Sequence, residues 1–225
     1  KCGQKQGLTN LNVNCIFQDS YGFIWFASQG GGISKFDGNT FTNYDKQDGL
    51  VGNDVIAIAE DKYKNIWIGT VDGVSKYDRK NFTNYTTNNG LKDNRVYGIL
   101  CDNDKIWLST YGGGIAILEN NQFTYLNTTN GLSSDKVFSV YKDKRNKYWI
   151  GTSKGGINLY NGKSFTVIKE SKNFNSASAF CFFESSDGKM WIGTPGKGIY
   201  YIENNIVHQL NIPLINADYI PKITE

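Results

Sequence analysis

Short runs rich in β-branched and aromatic residues alternate with segments of glycine, asparagine and charge along the chain. Residues 55–85 show the unit plainly. Val55–Asp61, Ile66–Thr70, Val74–Asp78 and Phe82–Tyr85 read as four strands, and the segments between them have hairpin length. The 3.6-residue apolar period that a helix needs to bury one face is absent. The pattern therefore predicts an all-β chain of short antiparallel strands and tight turns.

The unit repeats. All five tryptophans, Trp25, Trp67, Trp107, Trp149 and Trp191, follow one another at steps of 42, 40, 42 and 42, opening the phrases WFAS, WIGT, WLST, WIGT and WIGT. Gly-Leu pairs keep the same beat at Gly7-Leu8, Gly49-Leu50, Gly90-Leu91 and Gly131-Leu132. Phe-Thr pairs fall at Phe41-Thr42, Phe82-Thr83, Phe123-Thr124 and Phe165-Thr166. Length changes are confined to turns, as in CDNDKIW of the third unit, which accounts for the step of 40. Four strands in a repeat of roughly 40–45 residues are the signature of β-propeller blades.

The predicted four-stranded antiparallel blades span about 8–45, 50–86, 91–126, 132–168 and 174–212, and residues 213–225 open a sixth repeat within one partial propeller, 1–225. Propellers close with roughly four to eight blades, so five and a broken sixth predict part of a ring of about seven. An open arc exposes two blade faces, which further blades of the same polypeptide or a homodimer would cover. The five tryptophans are predicted as structural core. A flat indole at one fixed site fills the wedge between neighbouring sheets, burying roughly 150–250 Å².

Composition narrows the function. Net charge is +3 with acidic and basic residues interspersed, so no basic patch marks nucleic acid as a partner. No apolar run approaches the roughly 18 residues of a membrane helix. Cys2, Cys15, Cys101 and Cys181 lack metal-ligand spacing and are expected as free thiols. His208 is the single histidine and lies in the degenerate fifth unit. One histidine supplies neither a catalytic triad nor a His-rich metal site, so no catalytic residue, metal or cofactor is expected. Asp19, Glu60-Asp61, Asp102, Asp143 and Glu184 recur in every unit, as turn acceptors do and a unique active site does not. The glycine clusters Gly30-Gly31-Gly32, Gly112-Gly113-Gly114 and Gly155-Gly156 precede strands, so they read as sharp turns and not as phosphate loops.

Binding residues are sought where the repeats differ. The position before each first strand holds Asn12, Asp54, Arg95, Lys136 and Ser178, and the loops between second and third strands add Gln29, Asp72, Tyr111, Lys154 and Lys197. The candidate ligand-binding set is Asp54, Arg95, Lys136, Tyr111, Lys154 and Gln29. Arg95, Lys136 and Lys154 near Tyr111 suit an acidic or hydroxyl-rich small molecule such as a sugar.

The succession N-x-V-x-x-I-x-x-D, G-x-x-W-I-G-T, G-G-I-x-x-Y-D and F-x-x-Y resembles the two-component regulator propeller repeat. It stands here as NVNCIFQDSYGFIWFASQGGGISKFDGNTFTNY from Asn12 to Tyr44, and five copies cover about 7–212. The resemblance implies a periplasmic or extracellular sensor region of a hybrid two-component system, with a membrane helix and a histidine kinase elsewhere in the polypeptide. It also implies an oligosaccharide ligand. Two other classes compete with it: a protein-interaction scaffold at the cell surface or in secretion, and a propeller lyase.

Overall fold

The computed structural model describes residues 7–153, 156–168, 178–203 and 206–210. They form five four-stranded antiparallel sheets with strands in sequence order. Blade one is β1 (Val13–Gln18), β2 (Ile24–Ser28), β3 (Gly32–Phe36) and β4 (Phe41–Tyr44). Blade two is β5 (Val55–Glu60), β6 (Ile66–Thr70), β7 (Val74–Tyr77) and β8 (Phe82–Tyr85). Blade three is β9 (Val96–Asp102), β10 (Lys105–Thr110), β11 (Gly114–Glu119) and β12 (Gln122–Leu126). Blade four is β13 (Val137–Lys142), β14 (Tyr148–Thr152), β15 (Ile157–Tyr160) and β16 (Phe165–Ile168). Blade five is β17 (Cys181–Glu184), β18 (Met190–Gly193), β19 (Ile199–Glu203) and β20 (Ile206–Gln209). The expected sixth repeat at 213–225 lies outside the described residues.

The chain separates into two compact units, Lys1–Tyr111 with Ala116–Thr124, and Gly112–Ile115 with Tyr125–Glu225. Each has a core built across a pair of blades. In the first, Trp25, Ala27 and Ile33 of blade one meet Val55, Ile58, Ile66, Ile68 and Tyr77 of blade two. In the second, Trp149 and Ile157 of blade four meet Ala179, Phe182, Met190, Ile192 and Tyr200 of blade five. In each unit one tryptophan, Trp25 or Trp149, thus faces the sheet of the next blade. Trp25 is 0 %, Trp67 3 %, Trp107 3 % and Trp149 8 % exposed. Trp191 departs from the expected uniform core and is only half-buried. The reason is positional, because blade five is the last described sheet and no described strand covers the face where this indole lies.

The Gly-Leu beat comes from one turn made three times between consecutive blades. Asp45, Thr86 and Asn127 each cap a single 3₁₀ turn, and Asp48, Asn89 and Asn130 return the bond to the cap backbone. Gly49, Gly90 and Gly131 end these turns at φ of 105°, 120° and 99°, in the left-handed region open to glycine. The following Leu50, Leu91 and Leu132 are buried. Two strands are one residue shorter than the sequence pattern predicts: β5 stops at Glu60 and β7 at Tyr77. Asp61 and Asp78 leave the ladder because their carboxylates accept backbone N–H groups of the turns that follow, Tyr63 and Asn65 for Asp61, Lys80 and Asn81 for Asp78.

Candidate ligand-binding face

At one end of blades one to four two loops meet through a repeated backbone hydrogen bond. The residue after the second strand donates to the carbonyl of the residue before the first: Gln29 to Asn12 at 2.9 Å, Val71 to Asp54 at 3.2 Å, Tyr111 to Arg95 at 3.1 Å and Ser153 to Lys136 at 2.8 Å. This contact sets which side chains can act together. In blades two and four Val71 and Ser153 hold the place that Gln29 and Tyr111 hold in blades one and three, and Asp72 and Lys154 follow one residue later in the sequence. Asp72 instead pairs with Lys46 at 3.5 Å, both well exposed. Lys154 lies outside the described residues.

The strongest cluster belongs to blade three. The Arg95 guanidinium lies 5.0 Å from the Tyr111 ring centroid, and the Tyr97 ring lies 5.4 Å from that of Tyr111. Asp93 fixes the guanidinium through Oδ2 at 2.6 Å and Oδ1 at 3.0 Å. Arg95 in turn holds the Asp93 carboxyl below the usual carboxylate range, first through the side-chain hydrogen bond. Two faces of aromatic surface and a positioned, half-exposed fork make a platform for hydroxyl-bearing or anionic groups.

Asp93 and Tyr97 belong to this platform without appearing in the sequence-derived set. A signal for Asp93 was present. A polar side chain two residues before the first-strand entry accepts the backbone N–H there from Asn10 to Asn12 at 2.9 Å, from Asp93 to Arg95 at 2.8 Å and from Ser134 to Lys136 at 3.2 Å. Gln29 and Asp54 are close neighbours in the first unit: a Cβ added at Gly30 would stand 3.8 Å from Asp54 Oδ1, and the Gln29 carbonyl accepts Asn10 Nδ2 at 2.8 Å. Lys136 holds in blade four the register position of Arg95, and it belongs to the second unit.

The recurrent acids lie at the other end of the blades. Asp19, Asp61 and Asp143 each accept the indole N–H of their own blade's tryptophan at 2.8, 2.8 and 2.9 Å, and two backbone N–H groups on the other oxygen. In blade five Ser185 stands in for the acid, accepting from Trp191 at 3.1 Å. His208 is paired across the ladder with Tyr201 and stacks on it at 5.0 Å. Among the described residues no group of three or more His, Cys, Asp or Glu could hold a metal ion, and no helix is long and apolar enough to cross a membrane. Cys101 is a free thiol, and burial pushes it up to about 12.

The model of the two component regulator propeller repeat matches this sequence at residues 7–30, 49–72, 90–112, 131–154 and 173–196, which is one match per blade and more than half the chain. The chain belongs to the two component regulator propeller family. Among solved structures, this regulator propeller is similar to the extracellular domain of a B. thetaiotaomicron protein assigned as the hybrid two component system BT3049. The identity is 28 %, the TM-score 0.79, and the match covers 91 % of this chain and 30 % of that one. The extracellular domain of BT4673 from the same organism matches at 22 % identity and TM-score 0.77, over 91 % of this chain and 32 % of the other, a likeness of fold. A streptogramin B lyase shares the fold at 17 % identity and TM-score 0.74, over 94 % of this chain and 72 % of its own. No curated protein matches the regulator propeller. It spans about a third of the length of the two-component relatives.

Proposed function

We propose that this regulator propeller is the extracytoplasmic ligand-sensing module of a two-component signalling protein, and that it binds an oligosaccharide at the loop end of its blades. The observation that carries the reading is the similarity, over 91 % of the chain, to the extracellular domain of a hybrid two-component system, together with one family match in every blade. The Arg95–Tyr111–Asp93 platform supplies the chemistry: a pinned guanidinium for hydroxyl or carboxylate oxygens and a tyrosine face for the apolar side of a sugar ring. The module acts by recognition and not by catalysis. Occupancy changes how it associates with further blades, and a histidine kinase elsewhere in the polypeptide responds to the shifted population.

A glycan array probed with the purified protein tests this directly. Binding to a defined oligosaccharide, lost in Arg95→Ala and Tyr111→Ala while circular dichroism is unchanged, is the expected result. Binding that persists in both variants would remove the platform from the reading. Silence across all glycans would instead favour a surface scaffold.

A further inference from the structure

Within the first unit, the end of the blades opposite the candidate ligand face contains the same cradle twice, once filled and once open. Between blades one and two it is filled by Arg79. This residue stands in the turn between β7 and β8 at φ 77°, where blades one and four carry Gly38 and Gly162. Its guanidinium donates to Asp19 Oδ2 at 2.6 Å and to Glu60 Oε1 at 2.8 Å, and its Nε reaches the Lys64 carbonyl at 2.8 Å. It lies 5.0 Å from the Tyr21 ring centroid and 5.9 Å from that of Trp25.

Between blades two and three the equivalent residues recur without the arginine. Asp61 replaces Asp19 and accepts Trp67 Nε1 at 2.8 Å, and Tyr63 replaces Tyr21. Asn120, at φ 50°, takes the turn position of Arg79. Cys101 takes the place of Glu60, since it faces Ile106 across the ladder as Glu60 faces Ile66. What remains is a cavity of about 200 Å³ whose lining includes Asp61, Tyr63, Trp67, Tyr85, Asp104 and Asn120.

The charge of Asp61 is met only by neutral groups. The residue is 6 % exposed, and its oxygens accept the backbone N–H groups of Tyr63 and Asn65, the Asn65 side-chain amide and the Trp67 indole. Among the described residues no cation pairs with it. A second carboxylate borders the cavity. Asp104 accepts the Tyr63 hydroxyl at 2.6 Å and lies 2.7 Å from Lys62 Nζ. Two carboxylates and three aromatic rings therefore line the void: Asp61, Tyr63 and Trp67 repeat Asp19, Tyr21 and Trp25 around the Arg79 guanidinium, and Asp104 supplies the second acid from a different position than Glu60. Lys76 also lines the cavity, with its Nζ 5.9 Å from the Trp67 ring centroid. Its counterpart Lys35 places its Nζ over the Phe23 ring at 4.8 Å, clear of Trp25, whereas Asn65 stands in place of Phe23 here, so Lys76 must swing off Trp67 when a guanidinium enters.

We propose that this cavity binds a guanidinium-bearing ligand of the class of an arginine side chain. The ligand places its planar fork on Asp61 and its flat face against Trp67 and Tyr63, as Arg79 does on Asp19, Trp25 and Tyr21. The Asn65 amide, which has only Phe23 as its counterpart in blade one, is the group that the incoming fork displaces. A guanidinium suits this geometry because it combines charge, planarity and several donors in one fixed fork, whereas an ammonium ion is a compact point charge. The site is separate from the loop-end platform and does not depend on it.

Isothermal titration of the whole chain with the tripeptide Gly-Arg-Gly tests the proposal, with Gly-citrulline-Gly and Gly-Lys-Gly as controls. Citrulline keeps the shape and removes the charge. Saturable binding of the arginine peptide is expected, with the citrulline peptide weaker by about tenfold or more. Asn120→Arg should abolish binding by placing the chain's own guanidinium in the cavity, and its circular dichroism should remain that of the parent. Asp61→Asn should abolish it as well, and the arginine variant keeps the test decisive if that one fails to fold. Equal binding of the citrulline peptide, no binding of the arginine peptide, or undiminished binding to folded Asn120→Arg would each overturn the proposal.

Discussion

Trp25 and Trp191 occupy the same register in their blades and live in different surroundings. Trp25 is completely buried, its indole donates to the buried Asp19 carboxylate, and the sheet of blade two lies against it. Trp191 is half-buried, donates to the Ser185 hydroxyl, and faces no further described sheet. The difference teaches that a repeat fixes the position of a side chain while the neighbouring blade fixes its energetic weight. That is the behaviour of a quasi-one-dimensional stack, in which much of the stability resides in nearest-neighbour interfaces.

The sharpest way to break the comparison is truncation at both ends. Trp25→Ala should destabilise the chain by about 3–5 kcal/mol, the range for emptying a filled aromatic site. Trp191→Ala should cost about 1–2 kcal/mol, since much less area is withdrawn from water. Urea unfolding of the two variants measures this, and equal losses would mean that burial against the next sheet is not what gives the indole its weight.

The latch beneath each indole gives a smaller effect of the same kind. Asp19→Asn leaves Arg79 facing Glu60 alone, and with Arg79 about a quarter exposed the loss should be roughly 2 kcal/mol, below that of a fully buried pair. Ser185→Asp, which installs the acid where blade five lacks it, should change stability by less than about 0.5 kcal/mol, because the indole bond it keeps is offset by repulsion from the neighbouring Asp187 carboxylate. Acid titration sharpens the point. Burial acts to raise the Asp19 pKa, but the Arg79 guanidinium and the Trp25 indole together outweigh it and bring the folded value below 3.8. A lowered folded value means that the stabilisation is complete above the unfolded pKa of about 3.9 and is lost as pH falls through the folded one. The parent should therefore lose stability below about pH 4 more steeply than Asp19→Asn, as followed by thermal melts across that range.

Much of this architecture was legible because it depends on local pattern. The tryptophan beat, the strand runs and the Gly-Leu pairs mark blades and turns through periodicity and φ preference alone. The latch was partly legible too, as an acid six residues before Trp25, Trp67 and Trp149. Arg79 was not. Its partners Asp19 and Glu60 lie 60 and 19 residues away, and nothing in the sequence of one turn announces that its side chain crosses to the preceding blade. At the candidate ligand face, Arg95 and Tyr111 emerged from comparing unlike positions among like repeats. Asp72 and Lys154 follow by one residue the place that the backbone bond gives to Gln29 and Tyr111, an offset that loops of unequal length hide in the sequence.

The smallest expected effect on stability belongs to Arg95, and it separates a working surface from a packed one. Its guanidinium is 47 % exposed, and Asp93, 15 % exposed, keeps the Arg95 backbone N–H as a donor when the side chain goes, so Arg95→Ala should shift stability by less than about 0.5 kcal/mol. The stacking on Tyr111 adds little at such exposure, because water competes for the same cation. A loss of more than about 1 kcal/mol in urea unfolding would make Arg95 a brace for the loop that carries it, and its order would then be structural in origin. A neutral change leaves the ordering by Asp93 and Tyr111 without a folding reason, and recognition is then the role that a pre-positioned, half-exposed guanidinium fits.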